Sequence, residues 1–150
     1  MKALRSCPLF AGMSEIEIDL TLGNISYQLV SLPAHEVYAL AGMPCKYVDI
    51  VVSGKLICRM AALSGKQVEV SRLHSGNMVA PAFIFSKDRS LPVSVETDGK
   101  VQLFRMRPEE LKRLIDLDET LRMNYIRILS NIDVFLTQKM KVISLFTVRE

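Results

Sequence analysis

The sequence is poor in the side chains from which catalytic and metal centres are usually built. It contains two histidines and three cysteines in 150 residues, and no two cysteines form a Cys-x-x-Cys pair. It also lacks a Gly-x-Ser-x-Gly nucleophile elbow, a metal-spaced His/Glu pair and a phosphate-binding P-loop. Because each of these patterns supplies a specific chemistry, their absence argues against catalysis. We therefore expect a protein that is not an enzyme.

Long apolar runs and a charge excess of one sign are also missing. No run of about eighteen apolar residues occurs, so the sequence predicts no membrane span, and the first residues lack the apolar stretch of a signal peptide. Nineteen basic and sixteen acidic residues give a net charge of +3, which is too balanced for a nucleic-acid-binding surface. The odd number of widely spaced cysteines is typical of a reducing compartment. These features predict a cytoplasmic protein without membrane contact.

Short apolar runs separated by turn residues fill the middle of the chain, from residue 26 to residue 101. Apolar and polar residues alternate over 67–73, 92–97 and 100–106, which is the pattern of strands with one buried face. Ser53-Gly54, between two further runs, predicts a tight hairpin turn. With a hydrophobic fraction of 49 %, the chain has enough apolar surface for a sizeable core. The pattern predicts an antiparallel barrel or sandwich.

Helical patterns flank this strand region. Ser14, followed three residues later by Glu17, forms a capping box. It predicts a short helix that runs through about Leu20 and buries Ile16, Leu20 and Leu22. Pro108 suits the first turn of a second helix, because a residue there needs no backbone N–H.

The longest helical pattern covers residues 119–142, which contain neither glycine nor proline. Tyr125, Ile128, Ile132 and Phe135 alternate steps of three and four, which is the seam of a coiled coil. Because a barrel already has its own core, we assign this seam to a second copy of the chain and predict a homodimer. The predicted interface comprises Leu121, Tyr125, Ile128, Leu129, Ile132, Phe135, Leu136 and Met140.

A single antiparallel barrel followed by one long two-faced helix resembles the sensor part of the Crp/Fnr family of bacterial transcription regulators. Local motifs are similar to those of that family along most of the chain. They include the opening Pro-Leu-Phe-x-Gly-Met-Ser and the Ser-Gly pair at Ser53-Gly54. The similar stretches are residues 8–14, 37–43, 48–56, 64–68, 73–77 and 145–150.

The resemblance implies a mainly β fold with α-helices. It consists of an antiparallel, cyclic-nucleotide-binding-like β-roll (a double-stranded β-helix), an N-terminal helix and a long C-terminal dimerisation helix. Residues 1–115 would form the effector-sensing β-roll, and residues 116–150 the dimerisation helix and hinge. The helix-turn-helix that contacts promoter DNA in this family would follow Glu150 and is absent from this chain. The implied function is sensory: an effector shifts the dimer towards or away from DNA binding.

The sequence departs from the cyclic-nucleotide branch of the family at the ligand motif. That branch uses a Glu for the ribose and an Arg for the cyclic phosphate, but Pro81 stands at the Glu position and Leu91 near the Arg position, with Arg89 in a polar turn. A buried phosphate without a cation is costly, so these residues argue against cyclic AMP. Only Cys7 lies near the N-terminus, which argues against the four-cysteine iron–sulfur branch. The implied apolar effector pocket comprises Met78, Val79, Ala80, Pro81, Phe83, Leu91 and Met123.

Several interpretations of that pocket stay open. The chain also resembles the nitrosative-stress regulators (the HcpR-like group), which implies haem-dependent nitric-oxide or redox sensing with His74, Met78 or Met123 as iron ligands. The plainer interpretation is that His74 is a turn residue and the methionines fill the core. The first alternative is an apolar organic effector without a metal. Two others are a regulator that uses only thiol oxidation at Cys45 and Cys58, and a cupin-like β-barrel enzyme, which two scattered histidines disfavour.

Overall fold

Five antiparallel strands form the centre of the molecule, whose computed structural model describes residues 2–132. The strands are β1 (Tyr27–Leu32), β2 (Val37–Ala39), β3 (Val48–Ala61), β4 (Gln67–Leu73) and β5 (Ser94–Met106). They hydrogen-bond in the order β1–β5–β3–β4, and β2 pairs with another part of β5. The predicted mainly β fold with flanking helices is confirmed.

Helices and short helical turns surround this sheet. They are α1 (Lys2–Arg5), a 3-10 turn (Pro8–Phe10), α2 (Glu15–Leu22), a second 3-10 turn (Pro81–Phe83), α3 (Pro108–Leu117) and α4, described over 119–132. Pro108 occupies the first turn of α3, as the sequence predicts. Within residues 2–132, every helix is too short or too polar to cross a membrane.

The longest strand, β3, runs through the position at which the sequence predicts a hairpin turn. The prediction of a turn at Ser53-Gly54 is wrong, because β3 pairs with β5 both before and after this pair. Gly54 has a φ of +85°, and the pairing register shifts on both sides of Ser53. The Ser-Gly pair is therefore a bulge, which bends a continuous strand instead of ending it.

Two groups of buried apolar side chains fill the roll. The larger group joins the sheet to the helices and includes Phe10, Phe104 and Leu121. The smaller group lies among the strands and includes Leu56, and the half-buried Tyr38 packs against both groups. Helix α4 therefore shares a core with the strands.

Helix α2 begins where the sequence predicts but buries the opposite face. The Ser14 hydroxyl accepts a hydrogen bond from the backbone N–H three residues later at 3.2 Å, so the N-cap is confirmed. The predicted burial of Leu22 is confirmed, but that of Ile16 and Leu20 is wrong, because both are exposed while Ile18 is buried. The buried pair and the exposed pair are each spaced by four residues, so each lies on one helix face. Both faces are apolar, and periodicity alone does not choose between them.

Helix α4 begins at a side-chain cap and packs on the β-roll. The Asp118 carboxylate accepts a hydrogen bond from the backbone N–H of Leu121 at 3.0 Å. Leu121 is fully buried and Tyr125 nearly so, and both belong to the larger core. The structure corrects the predicted dimer interface at these two positions, because the core of the same chain covers them. That core also crosses the predicted boundary between residues 115 and 116.

The other predicted interface residues lie in different surroundings. Ile128 and Leu129 are half-buried against the larger core, and Ile132 lines a cavity. Outside the described residues lie Phe135, Leu136 and Met140. The large apolar side chains exposed on the described part of α4 are Met123 and Ile126. The homodimer itself stays a prediction.

A buried ion pair joins three strands of the roll. Asp49 on β3 is fully buried and accepts hydrogen bonds from Arg105 on β5, from Nε at 2.8 Å and from Nη2 at 3.0 Å. The Tyr38 hydroxyl on β2 donates to the same carboxylate. Burial and the Asp49 charge raise the pKa of Tyr38, so its hydroxyl stays protonated. The Arg105 guanidinium also lies 4.2 Å from the centre of the Tyr47 ring.

We predict that Arg105→Met lowers the free energy of unfolding by about 3 kcal/mol, because it leaves a buried carboxylate without its cation. Urea unfolding followed by circular dichroism measures this loss. Arg72→Met is the control, since Arg72 pairs with Glu69 and Asp98 at a side chain that is 42 % exposed. Such surface pairs add little stability. Equal losses of unfolding free energy in the two variants would show that the buried Asp49–Arg105 pair stabilises the fold no more than a surface pair.

We predict that Gly54→Ala destabilises the chain by more than about 3 kcal/mol, because its Cβ would overlap the carbonyl oxygen of Lys100 as well as strain the backbone. Gly65→Ala is the control. Gly65 has the same φ of +85° but open space around the position of a Cβ, so it should cost only about 1–2 kcal/mol of backbone strain. The midpoints of thermal unfolding compare the two. Similar midpoints would mean that β3 moves away from Lys100 without cost.

Candidate functional site

The sheet, the segment after β4 and helix α4 line an open cavity of about 420 Å³. One row of side chains across three neighbouring strands forms part of it. Ser71 on β4 pairs with Cys58 on β3, and Cys58 pairs with Val95 on β5. Directly opposite residues of paired strands point to the same face of a sheet. We call this row the floor of the cavity.

The first wall of the cavity is residues 77–83. Its backbone is fixed to β3 by hydrogen bonds from the N–H of Val51 to the carbonyl oxygen of Asn77 and from the N–H of Val79 to that of Asp49, each 2.9 Å long. Ala80 has a left-handed backbone with a φ of +46°, which is strained for a residue with a Cβ. This bend leads into the second 3-10 turn and brings consecutive apolar side chains against the cavity.

The second wall is residues 91–93, which the loop after β2 supports. The backbone N–H of Gly42 donates to the carbonyl oxygen of Leu91 at 2.8 Å, and the N–H of Leu91 donates to that of Met43 at 2.9 Å. Both walls are thus held by main-chain hydrogen bonds. The lining is completed by Pro8 and by Ile128 and Ile132 of α4.

The chemistry of the lining is apolar. Among the described residues, no charged side chain lines the cavity, and its polar side chains are Ser71 and Asn77, with the Cys58 thiol beside them. A charged ligand group would lose its hydration there without meeting an opposite charge, which is costly. Small-molecule sites usually occupy about 300–1,000 Å³ and are mostly apolar. The arrangement therefore suits an uncharged, mostly apolar molecule.

Six of the seven predicted pocket residues come together in this cavity. They are Met78, Val79, Ala80, Pro81, Phe83 and Leu91. The seventh, Met123, does not line it and is 39 % exposed on α4. His74 is also exposed and lies after the end of β4. Of the three candidate iron ligands, the structure brings only Met78 to the cavity.

Arg89, the cation nearest in sequence to the Arg position of the cyclic-nucleotide branch, lies elsewhere. It lines a separate cleft with Lys46, Tyr47 and Arg107 at the start of α3. It is not among the residues that line the apolar cavity. A phosphate in that cavity would therefore lack this guanidinium.

Sequence reasoning missed the floor of the cavity. The alternation of 67–73 places Ser71 and Leu73 on one face of β4, and both line the cavity. Nothing in the sequence shows which residue of β3 lies opposite Ser71. The pairing depends on a register shift between Cys58 and Arg59, and one residue of slippage would turn the other face inward.

The thiols are poorly suited to reaction. Cys7, Cys45 and Cys58 are all buried and free. Burial raises the pKa of Cys7 to about 11, and burial also raises the pKa of Cys45 and of Cys58. Because the thiolate is the nucleophile and metal ligand, all three are held in their less reactive form. Across residues 2–132, no three His, Cys, Asp or Glu side chains are grouped as a metal ion would need.

Comparison with solved structures shows the same fold in several regulators. The catabolite activator protein of Thermus thermophilus has a TM-score of 0.79 at 20 % identity, over 91 % of this chain and 63 % of that one. A transcriptional regulator of Thermotoga maritima has a TM-score of 0.74 at 20 % identity, over 82 % and 94 %. The sensor domain of the regulator DNR of Pseudomonas aeruginosa has a TM-score of 0.71 at 20 % identity, over 93 % and 90 %.

No curated protein sequence matches this chain. The solved structures are too distant in sequence to show more than a shared fold. A family model does match: the model described as the cyclic nucleotide-binding domain covers residues 29–118. That stretch contains all five strands except the start of β1, and it contains both walls and the floor of the cavity. The chain therefore belongs to the cyclic nucleotide-binding domain family.

Proposed function

We propose that this chain is the sensor part of a Crp/Fnr-type transcription regulator, and that its cavity binds an uncharged, apolar effector. The observation that carries this proposal is the composition of the cavity. It has no charged side chain among its described lining residues, and Ile128 and Ile132 of α4 form part of it. A bound molecule would contact the β-roll and α4 at once.

The regulatory role is supported by the family and by the similar solved structures, which include an activator protein and a regulator's sensor domain. We propose that the chain acts in a dimeric regulator whose helix-turn-helix contacts two half-sites of promoter DNA. In that arrangement residues 1–115 sense the effector, and residues 116–150 form the dimer contact and hinge. The shared core makes the first turns of α4 part of the sensing unit as well.

For the dimer contact we propose the face of α4 that the β-roll leaves uncovered. It carries Met123 and Ile126. Phe135 continues the stripe of Tyr125 and Ile132 in the sequence pattern and does not belong to this face. An effector acts on such a dimer only if it binds one arrangement of the helices more tightly than the other. Because α4 lines the cavity, a movement of α4 would change the contacts of the effector and so its affinity.

Cyclic nucleotides suit this cavity poorly, although the family is named for them. The lining has Pro81 and Leu91 at or near the positions that the resemblance assigns to the ribose and phosphate ligands. Neither side chain can form a hydrogen bond. We therefore propose a ligand without a phosphate.

We predict that the uncharged dye N-phenyl-1-naphthylamine binds the full chain with saturable fluorescence at one dye per chain. Ser71→Phe should weaken binding by at least about tenfold, because the ring fills space above the floor. Val70→Phe is the matched control, since Val70 is the neighbouring residue on β4, is 47 % exposed and does not line the cavity. Excess cyclic AMP should not displace the dye.

The dye experiment separates the competing interpretations of the cavity. Displacement of the dye by cyclic AMP would return the chain to the nucleotide-binding branch. Equal binding by the Ser71 and Val70 variants would place the dye outside the cavity. Either result would contradict the proposed site.

Haem is the second candidate ligand, because the Met78 thioether lines the cavity. The fit is incomplete: sulfur is an accepted axial ligand of haem iron, but the described lining offers no cation for the two haem propionates. A bound haem would supply an iron that takes nitric oxide. The cavity therefore favours the organic effector over haem.

The haem candidate predicts a saturable Soret band at one haem per chain. Met78→Leu should remove that band, because it keeps the apolar volume and deletes the sulfur. Met43→Leu is the control, since Met43 is 43 % exposed and does not line the cavity. Absorbance titration measures both variants. A band that never saturates, or one that survives Met78→Leu, would remove Met78 as an iron ligand.

A further inference from the structure

Two consecutive residues of α4 hold opposite parts of the cavity lining. Asn124 contacts the N-terminal segment that contributes Pro8, and Tyr125 contacts the wall that contains Pro81. Both side chains are nearly fully buried. These contacts lie one turn before Ile128, the first residue of α4 that lines the cavity.

The contact of Tyr125 with the first wall is directional. Its hydroxyl donates to the carbonyl oxygen of Pro81 at 2.7 Å, and its ring meets Phe85 edge to face with 6.0 Å between ring centres. Burial raises the pKa of Tyr125 to about 12, so the hydroxyl is a permanent donor. The bonded carbonyl belongs to the 3-10 turn whose side chains line the cavity.

The contact of Asn124 with the N-terminal segment is firmer. Its side-chain Nδ2 donates to the carbonyl oxygens of Leu9 and Ala11, each at 2.9 Å. Leu9 is fully buried in the larger core. This end of α4 is therefore anchored on a part of the molecule that is packed in place.

The wall held by Tyr125 is the more adaptable partner. It includes Ala80, whose left-handed backbone is strained for a residue with a Cβ. Its 3-10 turn is closed by one main-chain hydrogen bond, from the N–H of Phe83 to the carbonyl oxygen of Ala80. A ligand in the cavity would contact Val79, Pro81 and Phe83 directly, because all three line it.

We propose that Tyr125 is the positioning residue that transmits occupancy of the cavity to α4. A ligand that displaces the wall moves the carbonyl group of Pro81, and the hydrogen bond carries this displacement to α4, which turns about its anchor at Asn124. This rests on the proposed function, because it assigns the route by which that site acts. Coupling between ligand binding and the movement of α4 needs a physical contact that joins the two. The hydrogen bond from Tyr125 to Pro81 is such a contact.

The test compares Tyr125→Phe with the wild-type chain by hydrogen exchange, with and without N-phenyl-1-naphthylamine. The substitution keeps the ring against Phe85 and removes only the hydroxyl. Tyr27→Phe is the control, since Tyr27 stacks on Phe104 and its hydroxyl has no partner among the described residues. The informative amides are those of residues 119–126, which contain no lining residue of the cavity.

In the wild-type and Tyr27→Phe chains, we expect the dye to change exchange at 119–126 by at least about threefold. In Tyr125→Phe the dye should still bind within about threefold of its wild-type affinity and still change exchange at 77–83, but the change at 119–126 should be lost. A purely structural role of the hydroxyl would alter exchange equally with and without dye. A dye response at 119–126 that persists in Tyr125→Phe would overturn the proposal.

Failure of the proposed function gives a different result. If the dye binds none of the chains, the cavity is not the effector site. The role of Tyr125 is then tested by comparing hydrogen exchange in the ligand-free chains. Faster exchange at 81–85 in Tyr125→Phe than in Tyr27→Phe would then support the link between wall and helix. Equal exchange in the two variants would overturn it.

Discussion

The buried pair of Asp49 and Arg105 is the interaction on which the arrangement of this domain depends. Its side-chain hydrogen bonds join β3 to β5 and, through Tyr38, to β2. The carbonyl oxygen of the same Asp49 holds Val79 in the first wall. A charge in the interior is tolerated only where its partner is fixed, so this pair constrains three strands at once. The position of the first wall is therefore tied to this ion pair through Asp49.

The sequence was most informative where one segment forms a feature by itself. The strand 67–73, the cap at Ser14 and the first wall of the cavity are each contiguous, and each was predicted close to its position in the structure. The floor of the cavity was not predictable, because Ser71, Cys58 and Val95 meet only through the register of three strands. The bulge at Gly54 looked like a turn because both need glycine with a positive φ.

Periodicity also has a limit that α4 makes clear. A stripe of apolar residues shows that one face of a helix is covered. It does not show whether the same chain or a second copy covers that face. Leu121 and Tyr125 are covered by the same chain, and Met123 and Ile126 point elsewhere. Asn124 lies between them and is buried although it is polar, because its amide meets two backbone carbonyl groups. No pattern of hydrophobicity could have placed it.

The floor of the cavity has a consequence for how such domains diversify. Ser71, Cys58 and Val95 share one face of the sheet, and the residues that flank each of them along their strands point to the other face. Exchanging these three side chains would change the shape and polarity of the cavity while leaving the strand pairing intact, because that pairing is made by the backbone. A few substitutions can thus change which ligands the cavity binds while the fold stays the same.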